Sequence, residues 1–500
     1  MYTSPRNRGA ARSRRVIAAL ACLLSSCAVG PSFHRPAPPP VTHYSPDADP
    51  TTTVAAGGSA QQFAPGAALA ADWWHLFHSA QLDAIIAEAI AKNPGLEAAQ
   101  ASLRASHDQL RSGYGIFFPA VDADAAATRE RYTSIDIGQN SPGAVFNLFT
   151  LSASVNYALD VFGGNRRMIE GLHADLDIAK ATEQATYLTL ASNIADTVIA
   201  RAGYGAEIEA TQRLISMQAE QVRLAEIQAD AGTVPFSTVL SLRTQLASYE
   251  ASVPQLEQKL TQSDDLLAAL CGHTPAEWRA PDIALADLVL PTELPVTLPS
   301  ELVRQRPDIL AAEAAAHAAS AQIGVATAAM LPSFTLSGAA AGVSNSSSKL
   351  FPSNGRPWSL GADASVPVFS GGTLWYKRKA AIDTYHQSMA IYRQTVLGAF
   401  DQVADTLRAL DHDARTLAAD DVALASATQA LQLIQANYES GLVTYLDVLN
   451  ADAQYAQAQL NDIQAVAVRH QDTVALFAAL GGGWWNSAAG APPADAAAEH

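Results

Sequence analysis

Tyr438-Glu439-Ser440-Gly441-Leu442-Val443-Thr444-Tyr445-Leu446-Asp447-Val448-Leu449-Asn450 lies between two long alanine-rich tracts of helical periodicity. A glycine that follows a periodic helix takes the left-handed backbone without steric cost, so Gly441 is placed as a C-terminal stop. Thr444 to Asn450 restarts the helical pattern, and the spacing predicts the tip of an antiparallel helical hairpin. A second such tip stands upstream, in Ala229-Asp230-Ala231-Gly232-Thr233-Val234-Pro235-Phe236-Ser237-Thr238-Val239-Leu240. Gly232 pairs with Gly441, Val239 with Val448, Leu240 with Leu449 and Gln245 with Gln454, each at one separation (441 − 232 = 209). The chain is two versions of one unit.

Working outward, the duplication continues. Asn93-Pro94 is an N-cap followed by proline at the first helical position, and the tract it opens closes at Phe118-Pro119. Arg306-Pro307-Asp308 opens a matching tract that closes at Leu331-Pro332, with 307 − 94 = 213 and 332 − 119 = 213. After each closing proline the period changes from helical to alternating. In Asn147–Val161 the odd positions are apolar (Phe149, Leu151, Val155, Tyr157, Leu159) and the even ones mostly small and polar (Thr150, Ser152, Ser154, Asn156). Trp358–Phe369 alternates likewise, and weaker strands precede each near Ala120–Thr133 and Ser333–Val343. Then come long proline-free tracts, Gly164 to Asp230 and Gly372 to Ser440. About 67 residues at ~1.5 Å each make a helix of ~100 Å. Ile382, Tyr385, Met389, Tyr392, Val396, Phe400, Val403, Leu407, Leu410 and Leu417 step by threes and fours, a coiled-coil seam with a local stutter.

A strand of roughly ten residues, apolar on one face and small-polar on the other, suits the wall of a transmembrane barrel. No stretch has the ~20 apolar residues of a membrane helix, so a crossing must be made by strands. Yet four strands cannot close a barrel, and open edges are not tolerated in lipid. Either the strands form a small soluble sheet, or several chains complete one barrel together.

Charge and processing signals narrow the setting. The formal net charge of −17 excludes nucleic acid as a natural partner. Residues 1–26 carry Arg6, Arg8, Arg12, Arg14 and Arg15 and no acid, so their removal leaves −17 − 5 = −22. An arginine-rich start, an apolar run from Val16 to Leu24 and then Leu24-Ser25-Ser26-Cys27 have the layout of an export signal. The cleavage site resembles a bacterial lipobox, which implies cutting before Cys27, acylation of that cysteine and an outer-membrane destination. Cys22 leaves with the signal and Cys271 has no partner, so there is no disulfide framework. The expected division is a signal peptide at 1–26, an extended lipidated tether at 27–70 and a first repeat at 71–270. A connector at 271–299, a second repeat at 300–480 and a flexible tail at 481–500 follow.

No motif carries catalysis: the chain lacks HExxH, CxxC, G-x-S-x-G and phosphate-loop patterns. Gly163-Gly164 and Gly371-Gly372 lack the remaining glycines of a dinucleotide fingerprint and are expected as strand-to-helix turns. Trp73-Trp74 and Trp484-Trp485 are expected to anchor the equatorial region of the fold.

The chain resembles the TolC-type outer-membrane channels, in particular the lipidated NodT- and OprM-like branch of RND efflux systems. The resemblance rests on Cys27-Ala28-Val29-Gly30-Pro31, Trp73-Trp74-His75-Leu76-Phe77, Leu159-Asp160-Val161-Phe162-Gly163 and Arg304-Gln305-Arg306-Pro307-Asp308-Ile309. Ile323-Gly324-Val325-Ala326, Pro367-Val368-Phe369-Ser370-Gly371-Gly372, Gly441 to Leu449 and Ala479-Leu480-Gly481-Gly482-Gly483-Trp484 complete it, in family order. It implies an α+β membrane protein with a two-fold internal repeat. Four strands per chain would enter a twelve-stranded barrel of a homotrimer, above a long periplasmic helical barrel. The implied function is a passive duct that expels drugs or other toxic small molecules, with an inner-membrane RND pump and a periplasmic adaptor as partners. Beyond the N-acyl and S-diacylglycerol lipid on Cys27 no cofactor is implied. Gly232, Thr233, Val234, Gly441, Leu442 and Val443 would be the adaptor-docking tips. Asp447 and Asn450 would line the pore constriction, with Tyr438 in the latch of the closed tip. Val443 and Asn450 depart from the family, standing where an arginine and a second aspartate occur, so the constriction would hold three carboxylates rather than six. A type I protein secretion duct and a periplasmic coiled-coil adaptor or structural lipoprotein are the alternatives.

Overall fold

A computed structural model describes residues 28–46, 49–132, 143–347 and 357–486. The signal segment, Cys27 and residues 487–500 of the tail lie outside the described residues. The described residues form two compact units, one falling within Met1–Pro36, Leu103–Ile178 and Ala312–Tyr392, the other within Ala37–Ser102, Ala179–Ala311 and Arg393–His500.

The two long helices of each half repeat to the residue. α1 (Ala80–Lys92) and α2 (Pro94–Gly113) lead in, α2 ending in a tight turn at Tyr114–Phe117 before the predicted Pro119. α3 (Gly164–Asp230) and α4 (Phe236–Leu270) are 67 and 35 residues long. After the short α5 (Pro299–Gln305) and α6 (Pro307–Ala328) come α7 (Thr373–Glu439) and α8 (Tyr445–Ala479), again 67 and 35 residues. The starts are offset by 373 − 164 = 209 and 445 − 236 = 209. The predicted seam of α7 is buried at Tyr392, Val396, Val403, Leu407, Leu410 and Leu417.

The expectation that no stretch is apolar enough for a membrane helix fails at one helix. α6 is long and apolar enough, by length and composition, to cross a membrane. Its apolarity is mostly alanine, and Ala316, Ala321 and Ile323 are buried within the protein, as in a packed core helix.

In the first unit a four-stranded antiparallel sheet is ordered β2 (Ala120–Tyr132), β3 (Ala144–Leu159), β5 (Ser333–Ser344), β6 (Trp358–Ser365). β1 (Gln62–Pro65) and β4 (Glu293–Val296) pair separately, in parallel, in the second unit. The register aligns the alternation across all four strands. One row is Val121, Val155, Gly338 and Leu360, and the next on the same face is Ala123, Ala153, Ala340 and Trp358. Between them, on the opposite face, runs Asp122, Ser154, Ala339 and Ser359. The apolar face is uncovered: Val121, Leu360 and Trp358 are 70%, 80% and 73% exposed.

The segment from residue 28 is extended but is not a free tether. In the first unit the Val29 N–H donates to the Phe162 carbonyl (3.0 Å), and Arg167 donates to the carbonyls of Val29 and Gly30 (3.1 and 3.3 Å). Gly30 has φ of +97°, and a Cβ there would stand 2.5 Å from the Gly324 Cα, so a side chain is excluded twice over. Phe33 stacks on His317 (4.6 Å between centroids), and Arg35 pairs with Glu313 at 2.6 Å. His317 and Arg167 both hold Glu170, at 3.0 and 2.7 Å.

In the second unit the same segment wraps Arg469, which is 1% exposed. The guanidinium donates to Gln61 Oε1 (3.0 Å), to the Ala56 carbonyl (2.9 Å), and to Thr53 Oγ1 and the Ser59 carbonyl (3.3 and 3.4 Å). Trp73, Trp74 and Phe77 are buried, Trp73 lying 5.4 Å from Phe477. This aromatic cluster is core packing. The Arg306 guanidinium donates to the Ala479 carbonyl at 2.9 Å, a cation placed on the C-terminal end of α8 where the helix dipole favours it.

Candidate functional site at the hairpin tips

Both predicted tips end their long helix with one hydrogen-bond pattern. The Leu442 N–H donates to the Asn437 carbonyl and the Gly441 N–H to the Tyr438 carbonyl, each at 2.9 Å. At the other tip Thr233 donates to Gln228 and Gly232 to Ala229, each also at 2.9 Å. This is the Schellman arrangement, which satisfies orphan carbonyls by placing the next residue in the left-handed region. Gly232 and Gly441 have φ of +72° and +73°, with nothing within 4 Å of where a Cβ would stand. Backbone conformation, not crowding, requires glycine there.

The helices that leave the tips start differently. Pro235 caps α4 with no side-chain bond, whereas Thr444 and Asp447 form a capping box on α8. Asp447 Oδ2 accepts from the Thr444 N–H (2.8 Å) and hydroxyl (2.6 Å). These bonds hold the Asp447 carboxyl below the usual carboxylate range. Asp447 and Asn450 are exposed, while Val448, Leu449 and, at the other tip, Val239 are buried. The Tyr438 ring packs on Tyr445 at 5.6 Å. Gly232, Thr233, Gly441 and Leu442 are exposed and Val234 and Val443 half-buried. Behind the tips Leu214, Met217 and Ala456 make a small core with Tyr249 and Ala453. Arg243 ties α4 to α3 through Glu226 (2.5 Å).

Sequence reasoning named Tyr438, Asp447 and Asn450 but missed Thr444. The Thr-x-x-Asp spacing before an apolar run was the available signal.

Two hairpins of equal size, a duplicated helix–strand–strand–helix order and an uncovered apolar sheet face define a family pattern, and its model, described as "Outer membrane efflux protein", matches residues 85–273 and 298–482. The chain belongs to the outer membrane efflux protein family. This efflux protein is 29% identical over 418 residues to the pyoverdine export outer membrane protein OpmQ of Pseudomonas putida, covering 82% of this chain and 88% of that one. It is 26% identical over 412 residues to the probable outer membrane lipoprotein SilC of Salmonella typhimurium, covering 82% and 88%. Among solved structures it superposes on the outer-membrane channel OprN with a TM-score of 0.79 at 27% identity, covering 92% of this chain and all of that one. The efflux protein is an outer-membrane channel component, and the family match falls in two segments that coincide with its two repeats.

Proposed function

We propose that three copies of this chain form one duct, the exit channel of a tripartite RND-type efflux system that releases small toxic compounds. The observation that carries this is the sheet: β2 and β6 each have one partner among the described residues, and the apolar face is uncovered. Unpaired edges and exposed apolar rows are costly in water and, unless closed, intolerable in lipid. Joining β6 of one copy to β2 of the next gives twelve strands (3 × 4) and leaves no edge. Likeness to the channel OprN supports the same closure. The small-polar face then lines the lumen.

Six glycine-turned tips would receive the helical hairpins of a periplasmic adaptor, through Gly232, Thr233, Val234, Gly441, Leu442 and Val443. An inner-membrane pump supplies the energy, and the duct is passive. Asp447 and Asn450, one helical turn apart and exposed, would face the lumen at the constriction, with Tyr438 packed behind. Cys27, acylated, would anchor each chain in the membrane, and the likeness to a probable lipoprotein supports this.

The test is direct. The purified full chain should run in detergent as a heat-modifiable trimer and conduct ions in planar bilayers. Asp447→Ala should weaken cation preference and divalent block. A detergent-independent, non-conducting monomer would overturn the reading.

A further inference from the structure

The two faces of the β2-β3-β5-β6 sheet differ in charge. Asp122, Asp124, Glu130 and Asp363 all belong to the polar face. On the apolar face the register brings together Val121, Ala123, Ala125 and Ala127 of β2 with Val155, Ala153, Leu151 and Phe149 of β3. Among the described residues of that face there is no acid. Its only charged residues are Arg129 and Arg131, at the hairpin end of β2, opposite Asn147 and Val145.

Their height is set by the strands. From the Leu159 row to the Phe149 row is ten residues, about 33 Å along the strand and about 25 Å along the membrane normal at a tilt near 40°. That is the apolar band of an outer-membrane barrel. Arg129 is the next position of that face above it and Arg131 the one after, about 7 Å further along the strand. Both are exposed, neither has an ion-pair partner among the described residues, and the bond from Arg129 to Asn147 Oδ1 is long, at 3.4 Å. Two like charges on neighbouring positions of one strand face repel, which an anion between them relieves.

We propose that Arg129 and Arg131 form a seat for the phosphate groups of a glycolipid headgroup in the outer leaflet. The inference rests on the reading of the apolar face as lipid-facing. A planar guanidinium makes two parallel bonds to a phosphate, and a pair of them spaced along a strand grips one phosphorylated headgroup from the side. At this depth the apolar rows below hold the acyl chains while the arginines meet the charge. The hairpin end of β2 is therefore a lipid-binding site, not merely the rim of the pore.

The experiment uses the full-length trimer in detergent, with lipid A bearing two phosphates, its dephosphorylated form and inorganic phosphate as probes. Bound lipid is read by native mass spectrometry, and trimer dissociation temperature on gels. Wild type should bind the phosphorylated form roughly ten-fold or more tightly than the dephosphorylated one. The double variant Arg129→Gln/Arg131→Gln should lose that preference while still conducting, and Arg129→Lys/Arg131→Lys should keep part of it. A double variant that discriminates as wild type does overturns the seat. Inorganic phosphate raising the dissociation temperature as much as the lipid would also overturn it, in favour of a soluble anion. A chain that forms no conducting trimer overturns the barrel reading beneath, and the seat with it.

Discussion

Asp447 receives both the backbone N–H and the hydroxyl of Thr444 on a single oxygen, Oδ2, at 2.8 and 2.6 Å. The residue proposed to charge the constriction is thus also the residue that starts α8. Its orientation is fixed by the helix cap rather than left to solvent. Thr444→Val removes the hydroxyl that donates to the carboxylate, and should speed amide exchange over 445–448 roughly five-fold, about the size of one lost hydrogen bond. The sign with pH follows from the depressed carboxyl. The cap is fully present above the unfolded aspartate value and is lost as pH falls through the lower folded value. Exchange at these amides that is unchanged in Thr444→Val would show that the cap is idle.

Glycine has opposite consequences at two sites that are equally uncrowded. Gly441→Ala forces a Cβ into the left-handed region and should destabilise the tip by about 1 kcal/mol. Gly205→Ala, within α3, meets nothing within 4 Å and has no positive φ, so it should stabilise by about 0.5–1 kcal/mol. Thermal unfolding of the two variants should move in opposite directions.

Arg469 holds residues 53–61 through four acceptors. Arg469→Met fills much of the volume but leaves buried Gln61 and Thr53 without that partner, and should cost about 2–3 kcal/mol. Limited proteolysis should then cut within 52–61, a stretch expected to stay intact in the wild type.

Asp413 gives a pH dependence of the opposite kind to Asp447. Burial first, then the neighbouring Asp472 carboxyl, against attraction from Arg469, push its carboxyl up to about 7. It lines a cleft of about 330 Å³ with Thr416, Asp420, Asn461 and Gln464. A folded pKa above the unfolded value means that this site loses stability as pH rises from about 4 to about 7. Asp413→Asn should therefore raise the melting temperature at pH 8 and change it far less below about pH 4, where both states hold the proton. A shift of equal size at both would remove the carboxyl pair as its cause.

The parts of this architecture that could be read from residues are those with a period or a punctuation mark. The prolines at 94, 119, 307 and 332 and the glycines at 232 and 441 bracket the repeats, and the alternation in Asn147–Val161 found a face that the register extends over all four strands. The docked N-terminal segment was not legible. Its anchors are single residues such as Gly30 and Gln61, and the bond from Arg469 to Gln61 spans 408 positions. A buried arginine with distant partners looks, in one dimension, like an ordinary surface charge on a helix. The tips are legible as turns, and the Thr444-x-x-Asp447 spacing is the one local signal for what orients the carboxylate.

The two halves also differ in where they have changed length. The offset is 213 at the opening and closing prolines of the first helices and 209 at Gly163 and Gly372, where the long helices begin (372 − 163 = 209). All of the four-residue difference therefore falls between Pro119 and Gly163 in one half and Pro332 and Gly372 in the other. In a helix one added residue swings everything beyond it by about 100°, turning a buried seam toward water, whereas a strand hairpin takes up an even-numbered addition without exchanging its two faces. The strand hairpins are accordingly where this chain tolerates insertion, and the place to graft an epitope or a fluorescent tag without disturbing the duct.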